Sequence, residues 1–222
     1  MSVAAPLYPV GLVVHGRRCL VVGGGRVAAR KIASLLSCGA AVTVVAPEVH
    51  EAIEALARSG HIDAITDTPL DVHMRPYATG EAGDFALVVA ATGDPDVDDA
   101  VYRDAERAGV WVNVADDAAR CSFVLPAIAR DGSVTVSVTT AGASPALAGW
   151  LRDRAVDALG PHLGELAALL EAARRRVRAS GRSTETVAWR ELLDGPLPGL
   201  VRQGRHEEAR RELERFLEHE LP

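Results

Sequence analysis

The chain has 222 residues, of which 48% are hydrophobic. This is enough for a doubly wound domain with its own hydrophobic core and for an additional, smaller part of the fold. A formal net charge of −6 argues against a nucleic-acid partner, which would need a basic surface. The N-terminal sequence lacks a basic, apolar leader, and no segment approaches the roughly twenty apolar residues of a membrane helix. These features predict a cytoplasmic protein that binds neither nucleic acid nor membrane.

The first predicted element is a short apolar strand that runs directly into a glycine turn and then a helix. Gly23 permits the tight turn, Gly25 lets the backbone approach a pyrophosphate, and the small Ala28 lets the helix pack close to the strand. Glycine turns also end ordinary buried strands, but a second strand at 41–45 completes a strand, helix, strand unit. The sequence therefore predicts a dinucleotide site. Its predicted contacts in this turn are Gly23, Gly24, Gly25, Arg26 and Val27.

The end of the second strand favours NAD over NADP. Dinucleotide sites usually place an acidic residue about twenty positions after the glycines, where it binds the ribose hydroxyls. Glu48 is the nearest candidate, behind Pro47, although it could equally be a first-turn carboxylate of a helix at 48–58. The backbone of Pro47 and Glu48 is expected to border the adenosine in either case. No arginine follows Val45 to bind a 2′-phosphate, although Arg26 leaves NADP as an alternative cofactor.

Three more strands complete a predicted parallel sheet of five, at 61–65, 85–91 and 110–114. The uninterrupted apolar run at 85–91 is typical of a strand buried on both faces. A helix at 96–108 follows it. Thr92 and Asn113 are predicted cofactor contacts, Thr92 because it lies in the loop at the strand end where such sheets bind ligands.

The pattern changes after residue 121. Segments 122–129 and 133–139 are joined by a turn without a helix and should pair as an antiparallel ribbon, whose exposed edge a second subunit could cover. From Ser144 onward the periodicity is helical, interrupted by a loop at 193–199. We therefore expect a Rossmann-type α/β domain at 1–121, a dimerisation ribbon at 122–143, a helical domain at 144–222, and a homodimer.

The motifs in this order resemble the precorrin-2 dehydrogenase family, which includes the N-terminal half of the fused siroheme synthases and the bifunctional dehydrogenase/ferrochelatases. The resemblance rests on the glycine loop with Ala29-Arg30-Lys31, the Asn-Val-x-Asp element at 113–116, Ser122-Phe123, and the Gly-x-Ser-Pro-x-Leu-Ala element at 142–148. It covers nearly the whole chain and is strongest from residue 7 to about 155. It is far more specific than the glycine loop alone.

The resemblance implies NAD-dependent oxidation of precorrin-2 to sirohydrochlorin and, in some members, insertion of ferrous iron. The family's acid/base aspartate corresponds to Asp116, and one carboxylate near the nicotinamide could assist both proton losses. Asp116 and Asp117 could instead simply form a turn at the strand end, and Asp117 does not match the family position.

Substrate contacts are expected from residues that suit carboxylates. The family's Ser-Pro element corresponds to Ser144, which would begin a helix whose free N–H groups attract an anion and which is a helix cap in either case. Arg120 and Arg152 are further candidates, because arginine can bind a carboxylate through two hydrogen bonds. Relatives usually carry an arginine where this chain has Gly149, which removes one possible contact.

No resident metal site is predicted. The seven histidines are scattered without an i,i+4 pair, and the three cysteines stand singly without a C-x-x-C pair. Iron would therefore be a substrate, and the absence of a cage does not exclude its insertion.

Two other functions compete with this interpretation. A nucleotide-sensing regulatory domain would also use a dimeric Rossmann fold, but it would need neither Asp116 nor an anion site at Ser144. A dehydrogenase for an unrelated small substrate is disfavoured, because the sequence lacks a Tyr-x-x-x-Lys or histidine-based hydride site.

Overall fold

The computed structural model describes residues 6–58 and 70–220, which belong to two compact units. The first unit comprises Met1–Leu125 and Ala141–Ala143, and the second comprises Pro126–Thr140 and Ser144–Pro222. The expected three-part division at residues 121 and 143 stays a prediction.

The first unit contains the predicted parallel sheet of five strands, in the order β3-β2-β1-β4-β5. The strands are β1 (Arg18–Val22), β2 (Ala41–Ala46), β3 (Leu70–Met74), β4 (Leu87–Ala90) and β5 (Trp111–Val114). The helices between them are α1 (Arg26–Leu36), α2 (Glu51–Arg58) and α3 (Pro95–Ala108). This is the Rossmann-type architecture that the sequence predicts.

The core of this unit lies on both faces of the sheet. Val21 of β1 packs in a cluster with α1 and α2, whereas its neighbour Val22 packs in a second cluster with α3. Consecutive side chains of a strand point to opposite faces, so a strand covered on both sides must be apolar throughout. All four residues of β4 are buried, which confirms the interpretation of its apolar run.

The structure bears differently on the predictions for the third strand and for the second helix. The third strand was expected at 61–65, which lies outside the described residues, and the third strand of the sheet is Leu70–Met74. Helix α2 begins at Glu51, so the prediction that it starts at Glu48 is wrong. Glu51 and Glu54 lie in the first turn of α2, where their negative charges interact favourably with the positive end of the helix dipole.

The second unit begins with the predicted ribbon of two antiparallel strands, β6 (Ala127–Asp131) and β7 (Val134–Val138). Gly132 occupies the turn with a φ of 56°, a conformation that favours glycine. Helix α4 (Pro145–Leu159) packs against both strands.

The rest of the second unit is helical, and its helices enclose a separate core. The elements are α5 (Leu163–Ala179), α6 (Trp189–Asp194), α7 (Leu197–Arg202) and α8 (His206–Glu220). The predicted loop at 193–199 is wrong for most of its length. Pro196 is the N-cap of α7, and Pro198 lies in its first turn. Proline is tolerated there because the first N–H groups of a helix have no partner within the helix, so the missing N–H costs no hydrogen bond. Within the described ranges, no helix has the length and hydrophobicity needed to cross a membrane.

Candidate functional site

The candidate site lies where the strand order of the sheet reverses. The chain proceeds from β1 outward to β2 and β3, and then returns to place β4 on the other side of β1. Loops that leave such neighbouring strands diverge to opposite faces and open a crevice at their carboxyl ends. Backbone hydrogen bonds hold the edges of this crevice: Ala91 N donates to Val22 O at 2.8 Å, and Ala115 N donates to Ala90 O at 2.8 Å.

Gly23 and Gly24 are required by close backbone packing beyond β1. Gly23 has a φ of 124°, and a Cβ there would collide with the Ala91 carbonyl oxygen. A Cβ on Gly24 would collide with the Glu48 carbonyl oxygen. The predicted glycine turn therefore lies against the loops that follow both β2 and β4.

Gly25 is different, because it faces open space. A Cβ there would meet no atom within 4 Å, and the backbone is ordinary, with a φ of −81°. Gly25 is the N-cap of α1, and no side chain caps the helix. The first N–H groups of α1 thus remain available beside an unfilled space, which fits the pyrophosphate of a dinucleotide.

The loop after β2 is fixed to the glycine turn. His50 N donates to Gly24 O at 2.7 Å, which brings the backbone of Pro47 and Glu48 to the edge of the crevice. Both Pro47 and Glu48 are exposed, and the 47–50 segment contains no arginine or lysine. The Glu48 carboxylate therefore lies outside α2, beside the turn.

A cleft of about 340 Å³ opens beside the first turn of α1. Residues from α1 and from the segments at the carboxyl ends of β4 and β5 line it: Val27, Ala91, Gly93, Pro95, Asp98, Val114, Ala115, Asp116, Asp117 and Arg120. The structure thus brings together Val27, Asp116 and Arg120, three of the predicted site residues.

Asp116 is the exposed carboxylate of this cleft. Its φ of 62° is left-handed, a conformation that non-glycine residues adopt rarely and that aspartate and asparagine tolerate best. Among the described residues, no hydrogen bond or close ion pair engages its carboxylate. A strained residue with an unengaged acid at the carboxyl end of a sheet is suited to a functional role.

Its neighbour Asp117 has a structural task. The Asp117 carboxylate accepts a hydrogen bond from Ala119 N at 3.0 Å and caps the short 3₁₀ turn at Ala118–Arg120. It also lies 3.5 Å from the Arg120 guanidinium, which is 3.7 Å from Asp99. Arg120 therefore reaches the cleft with two carboxylates nearby.

Thr92 is held in the loop after β4 by a buried carboxylate. Thr92 Oγ1 donates to Asp98 at 2.7 Å and accepts a hydrogen bond from Asp94 N at 3.0 Å. Asp98 is only 7% exposed and lines the cleft from α3. The sequence alone does not single out Asp98, because a single carboxylate in the first turn of a helix is typical of any helix.

Asn113 is buried, and its side chain connects β5 to the following loop. The amide donates to Phe123 O at 3.0 Å and to Cys121 Sγ at 3.3 Å. Burial raises the pKa of the Cys121 thiol. The cofactor contact expected of Asn113 stays a prediction.

Lys31 of α1 is a second residue that the sequence analysis did not single out. It lies one helical turn beyond Val27, is partly buried, and interacts electrostatically with Asp116 and Cys121. Burial is the largest effect on it and lowers the pKa of its ammonium. The available signal was composition, since Lys31 is the only lysine in the sequence.

Ser144 and Arg152 belong to the second unit. Ser144 is the N-cap of α4, and its hydroxyl accepts a hydrogen bond from Leu147 N at 3.2 Å. The Arg152 guanidinium forms an ion pair with Asp153 at 2.6 Å and donates to Ile128 O at 3.4 Å. The predicted cap is confirmed, and the substrate contacts stay predictions.

Two family models match the chain. A family described as "Putative NAD(P)-binding" matches residues 10–127, and the "Sirohaem synthase dimerisation region" matches residues 162–217. The first match covers the sheet and the cleft, whereas the second covers α5 to α8.

Curated relatives and a solved structure agree with both matches. The siroheme synthase of Nitrosococcus oceani is 37% identical over 95% of this chain and 44% of its own length. That of Nitrosospira multiformis is 38% identical, with 96% and 44% covered. SirC, a precorrin-2 dehydrogenase, superposes with a TM-score of 0.72 at 26% identity, covering 96% of this chain and 100% of SirC. The chain thus spans less than half the length of these siroheme synthases but the full length of SirC.

Proposed function

The chain belongs to the precorrin-2 dehydrogenase family, and from that membership we propose that it oxidises precorrin-2 to sirohydrochlorin in siroheme synthesis, with NAD as the hydride acceptor. The observation that carries this proposal is the cleft, because it joins the open N-terminus of α1 to an unengaged carboxylate, that of Asp116. Oxidation by NAD needs the cofactor and a proton-accepting group close to each other, and this cleft offers a place for both.

The glycine turn and the start of α1 would hold the cofactor. Gly25 leaves space above the free N–H groups of the helix, and Arg26 and Val27 begin the helix beside that space. Thr92 lies in the loop beyond β4 and Asn113 is the penultimate residue of β5, and both complete the proposed binding region.

NAD rather than NADP is the proposed cofactor. The adenosine end would lie against the loop after β2, where Glu48 is exposed and no arginine or lysine is present between residues 47 and 50. A carboxylate there favours free ribose hydroxyls and repels a 2′-phosphate. Arg26, at the first position of α1, is the cation that would favour NADP instead.

Asp116 is the proposed acid/base residue. Oxidation of the reduced macrocycle is completed by loss of a proton, and an exposed carboxylate without a competing partner can accept it. The left-handed backbone at Asp116 keeps this residue at the cleft instead of in a continuing strand.

Arg120, Arg152 and Ser144 are proposed to bind substrate carboxylates. Arg120 lines the cleft, and its guanidinium could exchange a distant carboxylate for a closer one from the substrate. Arg152 and the N-terminus of α4 at Ser144 offer similar chemistry in the second unit. We further propose that the chain works as a homodimer in the cytoplasm, and its match to a dimerisation region supports the homodimer.

The decisive experiment is anaerobic incubation of the purified protein with enzymatically generated precorrin-2 and either NAD or NADP. NADH formation with a sirohydrochlorin spectrum, faster than NADPH formation at the same concentration, is the expected result. Ferrous iron added at the end tests insertion against a protein-free control. Bound NAD without any NADH would contradict the dehydrogenase and return the chain to a nucleotide-sensing role.

A further inference from the structure

Helix α3 carries two carboxylates on the face that it turns toward the core. Asp98 and Asp104 are buried on the same side of the helix as Val101 and Ala105, which are fully buried. Burying a carboxylate is costly unless hydrogen-bond donors satisfy its oxygens. The two aspartates differ in how far the protein itself supplies those donors.

Asp104 receives hydrogen bonds from the protein on both oxygens. Its Oδ2 accepts from the Tyr77 hydroxyl at 3.0 Å and from Gly80 N at 2.5 Å. Its Oδ1 accepts from the Arg107 guanidinium at 3.1 Å. These contacts fasten the segment between β3 and β4 to α3, which is a structural role.

Asp98 uses one oxygen only. Its Oδ1 accepts hydrogen bonds from the Thr92 hydroxyl at 2.7 Å and from Thr92 N at 3.3 Å. The Thr92 hydroxyl accepts in turn from Asp94 N, so the loop after β4 fixes the carboxylate. In the part of the chain that the structure describes, Asp98 Oδ2 forms no hydrogen bond and no ion pair. One acceptor of a buried carboxylate is thus left without a protein donor.

Asp98 lines the cleft beside α1, and the other lining residues do not supply the missing donor. Gly93 and Pro95 line the cleft from the same loop and have no side-chain donor. Arg120 is the one cation of this lining among the described residues, and its guanidinium lies near two other carboxylates. A donor for the free oxygen is therefore expected from a molecule that enters the cleft.

The position and chemistry of this oxygen indicate the kind of donor. Val27, in the first turn of α1, and Asp116, the proposed proton acceptor, line the same cleft. In NAD, a ribose connects the pyrophosphate to the nicotinamide, and its hydroxyls are neutral donors. A carboxylate repels a phosphate but accepts a strong hydrogen bond from a hydroxyl.

We propose that Asp98 binds the ribose on the nicotinamide side of the cofactor, with Oδ2 accepting a hydrogen bond from a ribose hydroxyl while Thr92 holds Oδ1. This inference rests on the proposed function for the identity of the cofactor. Thr92 is then a positioning residue, because its hydroxyl donates to the carboxylate that binds the ribose.

The test compares three ligands by isothermal calorimetry and needs no turnover. ADP lacks the second ribose, ADP-ribose contains it without nicotinamide, and NAD contains both groups. Asp98→Asn keeps an oxygen for Thr92 and replaces the free oxygen by an amide nitrogen, which donates instead of accepting. This variant is expected to weaken binding of ADP-ribose and NAD about tenfold or more, and to leave ADP within about twofold of wild type.

Asp96→Asn is the matched control, because Asp96 lies in the same first turn of α3 but is exposed and outside the cleft lining. It removes the same charge and should leave all three affinities unchanged. Wild-type affinity of Asp98→Asn for ADP-ribose would overturn the proposal. An equal loss for ADP would overturn it as well, since Asp98 would then only shape the site. A loss confined to NAD would assign Asp98 to the nicotinamide and refute the ribose contact.

Thr92 offers an independent variant that leaves the carboxylate in place. Thr92→Val removes the hydroxyl that donates to Asp98 and should also weaken ADP-ribose more than ADP. Thr92→Ser keeps the hydroxyl and should bind ADP-ribose as the wild type does. Equal ADP-ribose affinities of Thr92→Val and Thr92→Ser would refute the positioning role.

These binding measurements separate the inference from the proposed function. If Asp98→Asn weakens ADP-ribose but the wild-type protein forms no sirohydrochlorin, the dehydrogenase fails and the ribose contact stands. If the protein forms sirohydrochlorin with NAD but Asp98→Asn binds ADP-ribose normally, the dehydrogenase stands and the ribose contact fails.

Discussion

Gly23, Gly24 and Gly25 are adjacent in the chain, yet each lacks a side chain for a different reason. Gly23 and Gly24 make room for the backbone at Ala91 and Glu48, whereas Gly25 leaves open the space in front of α1. Close backbone packing therefore explains the first two glycines, whereas only the third faces open space that the proposed cofactor could fill. This difference makes Gly25 the position at which cofactor binding can be changed alone.

Gly25→Val is expected to weaken NAD binding at least about tenfold while leaving the thermal midpoint unchanged. The branched side chain would fill the proposed pyrophosphate space, but a Cβ at this position meets no protein atom within 4 Å, and the φ of −81° suits valine. Isothermal calorimetry measures the affinity. Gly24→Ala is the matched control. Its Cβ would collide with the Glu48 carbonyl oxygen, so this variant should lower the thermal midpoint, which Gly25→Val should not do. Wild-type NAD affinity in Gly25→Val would contradict the assigned phosphate site.

Asp116→Asn is expected to lower the rate of sirohydrochlorin formation about 100-fold or more, with NAD affinity within about threefold of wild type. Asparagine also tolerates the left-handed backbone, so the variant removes the charge without disturbing the turn. Anaerobic steady-state kinetics provide the measurement. Asp117→Asn should retain most of the activity, and full turnover by Asp116→Asn would remove this carboxylate from the mechanism.

At the scale of single elements, α4 combines a structural cap with a proposed substrate contact in one residue. The Ser144 hydroxyl caps the helix through Leu147 N, and the same helix end would attract a carboxylate. The two roles can be separated, because a cap needs an acceptor oxygen whereas an anion site cannot contain a negative charge.

Ser144→Ala should therefore destabilise the protein by about 1 kcal/mol and lower the thermal midpoint by about 2–4 °C. Ser144→Asp should keep the midpoint near wild type, because aspartate caps a helix as well as serine does. It should nevertheless raise the KM for precorrin-2, since its charge repels the substrate. Thermal melts and steady-state kinetics test both halves. An unchanged KM in Ser144→Asp would show that the end of α4 does not contact the substrate.

At the scale of the whole molecule, assembly is the property to test. The helices α5 to α8 coincide with the match to a dimerisation region, and the ribbon precedes them in the same compact unit. Light scattering at micromolar concentration should therefore give a mass of about 47 kDa, twice the 23.4 kDa of one chain. A mass of one chain at that concentration would contradict the homodimer.

Local sequence patterns predict most of the elements of this chain and the glycine turn of its candidate site. The apolar run of β4, the glycine turn after β1 and the serine cap of α4 depend on local chemistry, so each could be predicted from a few neighbouring residues. The sequence did not predict the helix start at Glu51 or the helix α7 around Pro198, because several residues nearby offer comparable start or stop signals.

Which residues share the cleft depends on how the sheet and helices pack, and the local sequence does not show it. Val27, Asp98 and Asp116 are far apart in the chain and meet because parallel strands end at one edge of the sheet. The same arrangement gives Asp117 a capping role and leaves its neighbour Asp116 unengaged, a difference that two adjacent aspartates do not reveal in sequence. Long-range packing sets these relations, whereas local patterns set only the elements that carry them.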